Sequence, residues 1–267
     1  MTTLSVSIEG IGFWAPGLPD WASATAALRG RTGAGCEASQ RPTGAALANG
    51  ERRRASDSVV LACEVAAQAC AMAGRDASDL SSVFTSTEGD IAVTDYLCRT
   101  LAERPLELSP TRFHNSVHNA PAGYWSIASG CHAPSTAISA SHMSFAAALL
   151  EAAAEALAEQ VPVLLVAYDT RSPAPFSDVW PSDVLFGVAL VVAPTACSGP
   201  GIATLSLHLD PDASVSSDVP EPFRMLAAAN PMAAGALPLF GAIAANSTAC
   251  VTLAGEGGPA VVIEVQS

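Results

Sequence analysis

The sequence has no lysine; its twelve basic residues are all arginine. That absence excludes a Walker A phosphate loop, a Schiff-base lysine and a serine–lysine dyad, each of which needs an ε-amine. Positive charge is scarce altogether, because 25 acidic residues leave a formal net charge of −13. A surface of that sign repels a nucleic-acid backbone and an anionic bilayer, so neither is an expected partner. No CxxC pair occurs and the seven cysteines are odd in number, which argues against a disulfide framework or a four-cysteine zinc site. HExxH is missing as well. His114 and His118 stand at i, i+4, but Asn115 occupies the glutamate position and no third ligand is evident. No metal and no cofactor are therefore expected. Long hydrophobic runs are also lacking: residues 161–168 and 184–194 are about half of the roughly 20 needed to cross a bilayer. Residues 1–13 carry neither a basic n-region nor a small-residue cleavage site. The expectation is a soluble, cytoplasmic protein without a signal peptide.

Half of the 267 residues are apolar and only 14% are charged, enough for a large core and incompatible with a disordered chain. Residues 4–13 alternate and read as a strand. Residues 20–29 read as a short helix with Asp20 as its cap. Residues 30–50 read as a loop; Gly33 and Gly35 follow a helix rather than a strand, so a dinucleotide fingerprint is poorly supported. Across residues 56–74, Val59, Cys63, Ala66, Cys70 and Ala73 share one helical face, and Gly74 ends it. Further strands are predicted at 81–87, 135–140, 161–168 and 184–193. Helices are predicted at 90–103, 116–130 (interrupted by Pro121) and 141–160. Strands alternating with helices to about residue 195 predict an α/β fold with a largely internal sheet. The remainder predicts a strand at 202–209, helix on either side of Pro231, and a hairpin of 249–254 with 260–265. The expected division is residues 1–195 and a short C-terminal module, 196–267, packing on the same core.

The most informative stretch is residues 109–152, SPTRFHNSVHNAPAGYWSIASGCHAPSTAISASHMSFAAALLEA. It resembles the β-ketoacyl synthases of the thiolase superfamily. Ser109-Pro110, Asn119, Gly123, Ser126-Ile127, Gly130, Pro134-Ser135 and Ile138 fall in register with that family's pattern. The string HNSVHNAPAGYWSIA and the later Ala167–Asp169 are similar to the ketosynthase-like chain length factors that occur with aryl polyene gene clusters. The resemblance implies a thiolase-like N-terminal half with a central sheet between helices. In its register the nucleophilic cysteine falls on His142, preceded by Ser141. A thiol at the start of a helix is activated by free N–H groups and the helix dipole, whereas an imidazole there forms no acyl thioester. Ser141 is expected to cap the helix. The family's second-half histidines and lysine are missing too: His208 is the sole histidine beyond residue 195, and HGTGT is absent.

The resemblance therefore implies no catalytic residue and a chain length factor that heterodimerises with a Cys-bearing ketosynthase. The interface would be formed by Ser135, Thr136, Ala137, Ile138, Ser139 and Ala140, with Asn115 and Asn119. Thr111, Arg112 and Phe113 would approach the partner's acyl tunnel and set product length. Acyl carrier protein is usually acidic, so it is expected to dock mainly on the partner. The alternative is a degenerate acyl hydrolase or decarboxylase using Ser141 or His142. Tyr124 and Trp125 read equally as interface or core, and Trp180 as a residue near the tunnel.

Overall fold

The computed structural model describes residues 2–30, 41–195, 201–255 and 258–266. The elements in chain order are β1 (Leu4–Trp14), α1 (Trp21–Leu28), α2 (Asn49–Arg54), α3 (Asp57–Ala73), β2 (Ser81–Thr85), α4 (Ile91–Glu103), α5 (Pro110–His114), α6 (Ala120–Ser129), β3 (Ser135–Ile138), α7 (Ser144–Glu159), β4 (Val163–Asp169), β5 (Phe186–Pro194), β6 (Ala203–Asp210), α8 (Arg224–Ala229), α9 (Pro231–Ala245), β7 (Ala249–Leu253) and β8 (Ala260–Gln266). The strands form one sheet in the order β3-β2-β4-β5-β1-β6-β8-β7. β3, β2 and β4 run parallel to one another, and the remaining neighbours are antiparallel.

The sheet is covered on both faces, and strand alternation deals its residues to two cores. From β4, Val163, Leu165 and Ala167 join one core while Leu164, Val166 and Tyr168 join the other. α7 and α9 close the first face and α3 with α6 the second. The expected α/β fold with an internal sheet is thus present, and the sheet is mixed. Asp20 caps α1, accepting from the Ser23 N–H, and Gly74 ends α3 in the left-handed conformation at φ 63°.

Three elements differ from the sequence reading. The helix expected over 116–130 begins at Ala120, with Pro121 in its first turn. A proline there gives up an N–H that has no partner in any helix, so it starts this one rather than interrupting it. The short α5 lies ahead of it, and α2 begins inside the expected loop. The long helix expected from residue 141 begins as the 3-10 turn Ser141–Met143, with regular α-helix from Ser144. Gly33 and Gly35 lie outside the described residues.

α3 lies directly on the backbone of β1. A Cβ at Gly12 would run into the Val65 carbonyl, and one at Gly10 into the Ala69 carbonyl. The sequence admits this approach only through glycine. Gly12→Ala is therefore expected to destabilise the chain by about 3 kcal/mol through overpacking against helix backbone. Gly123, exposed in α6 with open space around it, is the control: Gly123→Ala should stabilise by about 0.5–1 kcal/mol. Urea denaturation of the two variants measures both; equal effects would contradict the packing argument.

Candidate functional site

The three parallel strands end at the same side of the sheet, where open α/β sheets commonly place their ligands. β2 delivers Thr87 and Glu88, β4 delivers Asp169 and Thr170, and β3 runs into Ser139–Met143 at the head of α7. The turn at that head is tightly held. The Ser144 hydroxyl donates to the Ser141 carbonyl at 2.7 Å and accepts the Ala140 N–H at 2.9 Å. The Ser139 hydroxyl lies 2.8 Å from the carbonyl oxygens of both Ser86 and Thr87. Ser141 takes a positive φ of 51°, a conformation that costs a non-glycine residue roughly 1 kcal/mol or more. The hydroxyl that secures the turn belongs to Ser144. Ser141 makes no side-chain cap bond, which corrects its expected role: the left-handed turn places it ahead of the helix, not at its N-cap.

His142 is exposed at this turn and borders a cavity of about 380 Å³. Thr87, Glu88, Asp169, Ser182 and Trp180 line it, with Ala227, Pro231 and Ala234 from α8 and α9. Asp169 is buried and accepts three hydrogen bonds: the Thr87 N–H at 2.8 Å, the Thr87 hydroxyl at 2.6 Å and the Met232 N–H at 3.1 Å. It so ties β4 to the loop after β2 and to the first turn of α9. Burial pushes its carboxyl up to about 7 although the three donors pull the other way; the nearby Glu88 adds to the rise. Glu88 is itself raised by burial, an effect the neighbouring His142 reduces. None of the five described cysteines lines this cavity. Cys131 is buried, its Sγ donating to the Leu80 carbonyl at 3.2 Å.

Thr111, Arg112 and Phe113 form the exposed surface of α5. The Arg112 guanidinium sits 4.2 Å over the Tyr96 ring. Arg112 also borders a second cavity, of about 490 Å³, together with Arg53, Arg54 and Arg171. Asn115 is buried: its amide donates to the Arg54 carbonyl at 3.0 Å and accepts the Tyr124 hydroxyl at 3.0 Å. Its side chain thereby joins α5 to α2 and α6 within the chain. Asn119 is exposed at the start of α6. In and after β3, Ser135, Ser139 and Ala140 are exposed and Thr136, Ala137 and Ile138 half-buried. β3 is an outer strand of the sheet. Tyr124 and Trp125 are buried against α3. His114 packs edge-on against Tyr124, while a ring nitrogen of His118 lies 3.1 Å from the Ile138 carbonyl. Among the described residues no group of three or more His, Cys, Asp or Glu side chains is arranged to hold a metal ion, and no helix is long and apolar enough to span a membrane.

Sequence reasoning did not single out Glu88, Ser144 or the depth of Asp169. Asp169 carried the one available signal, as the polar end of an otherwise apolar strand inside the Ala167–Asp169 motif.

The model of the β-ketoacyl synthase N-terminal domain matches residues 27–251. The chain belongs to that family. Its fold is shared by solved ketosynthase and chain length factor structures. One is a ketosynthase in complex with its chain length factor from Xenorhabdus doucetiae, at 18% identity and TM-score 0.71, covering 99% of this chain and 100% of that one. A second is the ishigamide ketosynthase/chain length factor, at 16% identity and TM-score 0.70, covering 98% and 99%. A third is a type II polyketide ketosynthase bound to its acyl carrier protein, at 12% identity and TM-score 0.76, covering 99% of each chain. No curated protein matches by sequence.

Asp169 gives this synthase-family chain a defined pH dependence. Between about pH 4 and pH 7 the folded chain holds a proton that the unfolded chain has released. Its contribution to stability therefore falls as pH rises through that window and levels off above it. Asp169→Asn should remove that slope and cost about 1–3 kcal/mol, because an amide N–H₂ meets the Thr87 or Met232 donors. Urea denaturation of both proteins from pH 4 to pH 8 checks this; parallel pH profiles would refute it.

Proposed function

We propose that this chain is a non-catalytic chain length factor that pairs with a Cys-bearing ketosynthase and shapes its acyl tunnel, in biosynthesis of the aryl polyene type. The observation that carries the reading is the residue at the head of α7. There the family resemblance calls for a thiol, and the chain presents His142 beside a cavity to which no described cysteine contributes. Imidazole forms no thioester, so acyl transfer and condensation fall to the partner.

Two surface features support pairing. Among the described residues β3 has a hydrogen-bonded neighbour on one side only, β2. An open strand edge of this kind is completed by a strand from another chain. Nearby elements carry exposed apolar side chains that a monomer does not need: Phe113 is 60% exposed, Val117 54% and Ile127 74%. The exposure of Thr111, Arg112 and Phe113 is compatible with α5 as the element that meets the partner's tunnel. Phe113 offers bulk and Arg112 a charge braced by Tyr96. An apolar chain end neither displaces packed atoms cheaply nor buries against a charge, so either residue would limit elongation. Asn115 serves this surface indirectly, by holding α5 in place. The net charge of −13 favours docking of an acidic carrier protein on the partner.

Co-expression with a Cys-bearing ketosynthase tests the reading. The two chains should copurify, and Ala137→Pro, which removes a donor from the edge strand, should abolish copurification. Phe113→Asp, at an exposed position that folding does not require, should weaken it at least tenfold. Phe113→Ala should lengthen the product. Copurification that survives both disruptive variants, with unchanged product length, would overturn the proposal.

A further inference from the structure

We propose that the cavity beside His142 is a binding site for a small amphiphilic organic cation: an ammonium group carried on an aromatic or short aliphatic body. The inference stands apart from pairing with a ketosynthase, since it rests only on the cavity's walls.

The cavity, at about 380 Å³, falls within the size range of small-molecule sites. Its walls divide by chemistry. Glu88 supplies the accessible carboxyl group, the buried Asp169 behind it adds a second whose oxygens already accept three hydrogen bonds, and no arginine lines it. The chain does concentrate arginines elsewhere: four of its twelve border the separate 490 Å³ cavity. A carboxylate or phosphate ligand is therefore rejected beside His142, because it would meet like charge without a guanidinium to receive it. The mouth carries an aromatic platform. Trp180 is 39% exposed and stacks on Phe176, with centroids 5.8 Å apart and planes 13° from parallel. An indole face attracts a cation through its ring quadrupole, more strongly when the pair is desolvated. Ala227, Ala228, Pro231 and Ala234 add a small apolar wall that is exposed or half-buried, which leaves room for a ring or short chain, while the buried lining residues Thr87, Asp169, Thr170 and Ser182 are polar.

The groups facing Glu88 set the pH behaviour. His142 and Asp169 share its cavity, and Asp90, His118 and Tyr168 line a second hollow that Glu88 also borders. Both carboxyl groups are raised by burial. A bound cation supplies the positive charge they lack and favours their ionised forms, so binding releases protons and tightens as pH rises.

Ligand-observed NMR titration of the purified full chain, or of its copurified complex, tests this with three probes of one shape: benzylamine, benzyl alcohol and phenylacetate. Benzylamine should bind with a dissociation constant of about 1 mM or tighter. It should bind at least tenfold more tightly than benzyl alcohol, and phenylacetate should not bind. Benzylamine affinity should fall several-fold from pH 8 to pH 5. Glu88→Gln should remove most of the preference for the amine over the alcohol, while Trp180→Ala should weaken both. Circular dichroism identifies variants that remain folded. Equal affinity for the three probes, preference for phenylacetate, no binding of benzylamine, or an unchanged preference in folded Glu88→Gln would each overturn the proposal.

Discussion

The contact of α3 with the glycine surface of β1 sets the rest of the structure. A helix resting on bare strand backbone approaches more closely than side chains would permit, and Gly10 and Gly12 make that approach possible. α3 reaches β4 and β5 as well as β1, so this one contact fixes the height of the second core above the central strands. The parallel strands β2 and β4 are then held with their C-terminal ends side by side. Those ends carry Thr87, Glu88 and Asp169. The cavity beside His142 thus has its base in sheet packing, and the connection between β4 and β5 adds Ser172 and residues 179–182 to its wall.

At that cavity the chain shares the fold of the β-ketoacyl synthase N-terminal domain and presents a histidine at the head of α7. The strand-to-helix turn is present, secured by Ser144 and by the left-handed conformation of Ser141. Such a turn serves to present the next side chain at the head of a helix. Here that side chain is an imidazole with two carboxyl groups nearby and no cation of the kind that would receive a carboxylate substrate. Asp169 performs structural work at the same place, since its oxygens hold the loop after β2 and the start of α9 together. The hydrogen bonds that shape the turn come from residues other than 142, so the identity of that side chain does not decide whether the turn forms.

Much of the fold was legible in the sequence. Alternation pointed to β1, while β4 and β5 read as short continuous apolar runs because both of their faces are buried. Asp20 and Gly74 announced helix ends through local backbone chemistry, and Pro231 marked the start of α9. The division of residues 110–129 into α5 and α6 was less visible, since Pro121 is compatible with either a break or a first turn. The surroundings of Glu88, Asn115 and Asp169 were not legible. Asp169 contacts Thr87 and Met232, 82 and 63 residues away in the chain, and no local pattern encodes partners at that distance. Asn115 was expected at the interface with a partner chain. Only the packing of α2 and α6 around it buries it.

The account turns on the absence of a transferable acyl group on this chain. Intact-mass spectrometry of the copurified complex after exposure to an acyl-loaded carrier protein tests it directly. The account predicts one acyl adduct on the ketosynthase partner and none on this subunit. An ester or acyl-imidazole mapped to Ser141 or His142 would contradict it.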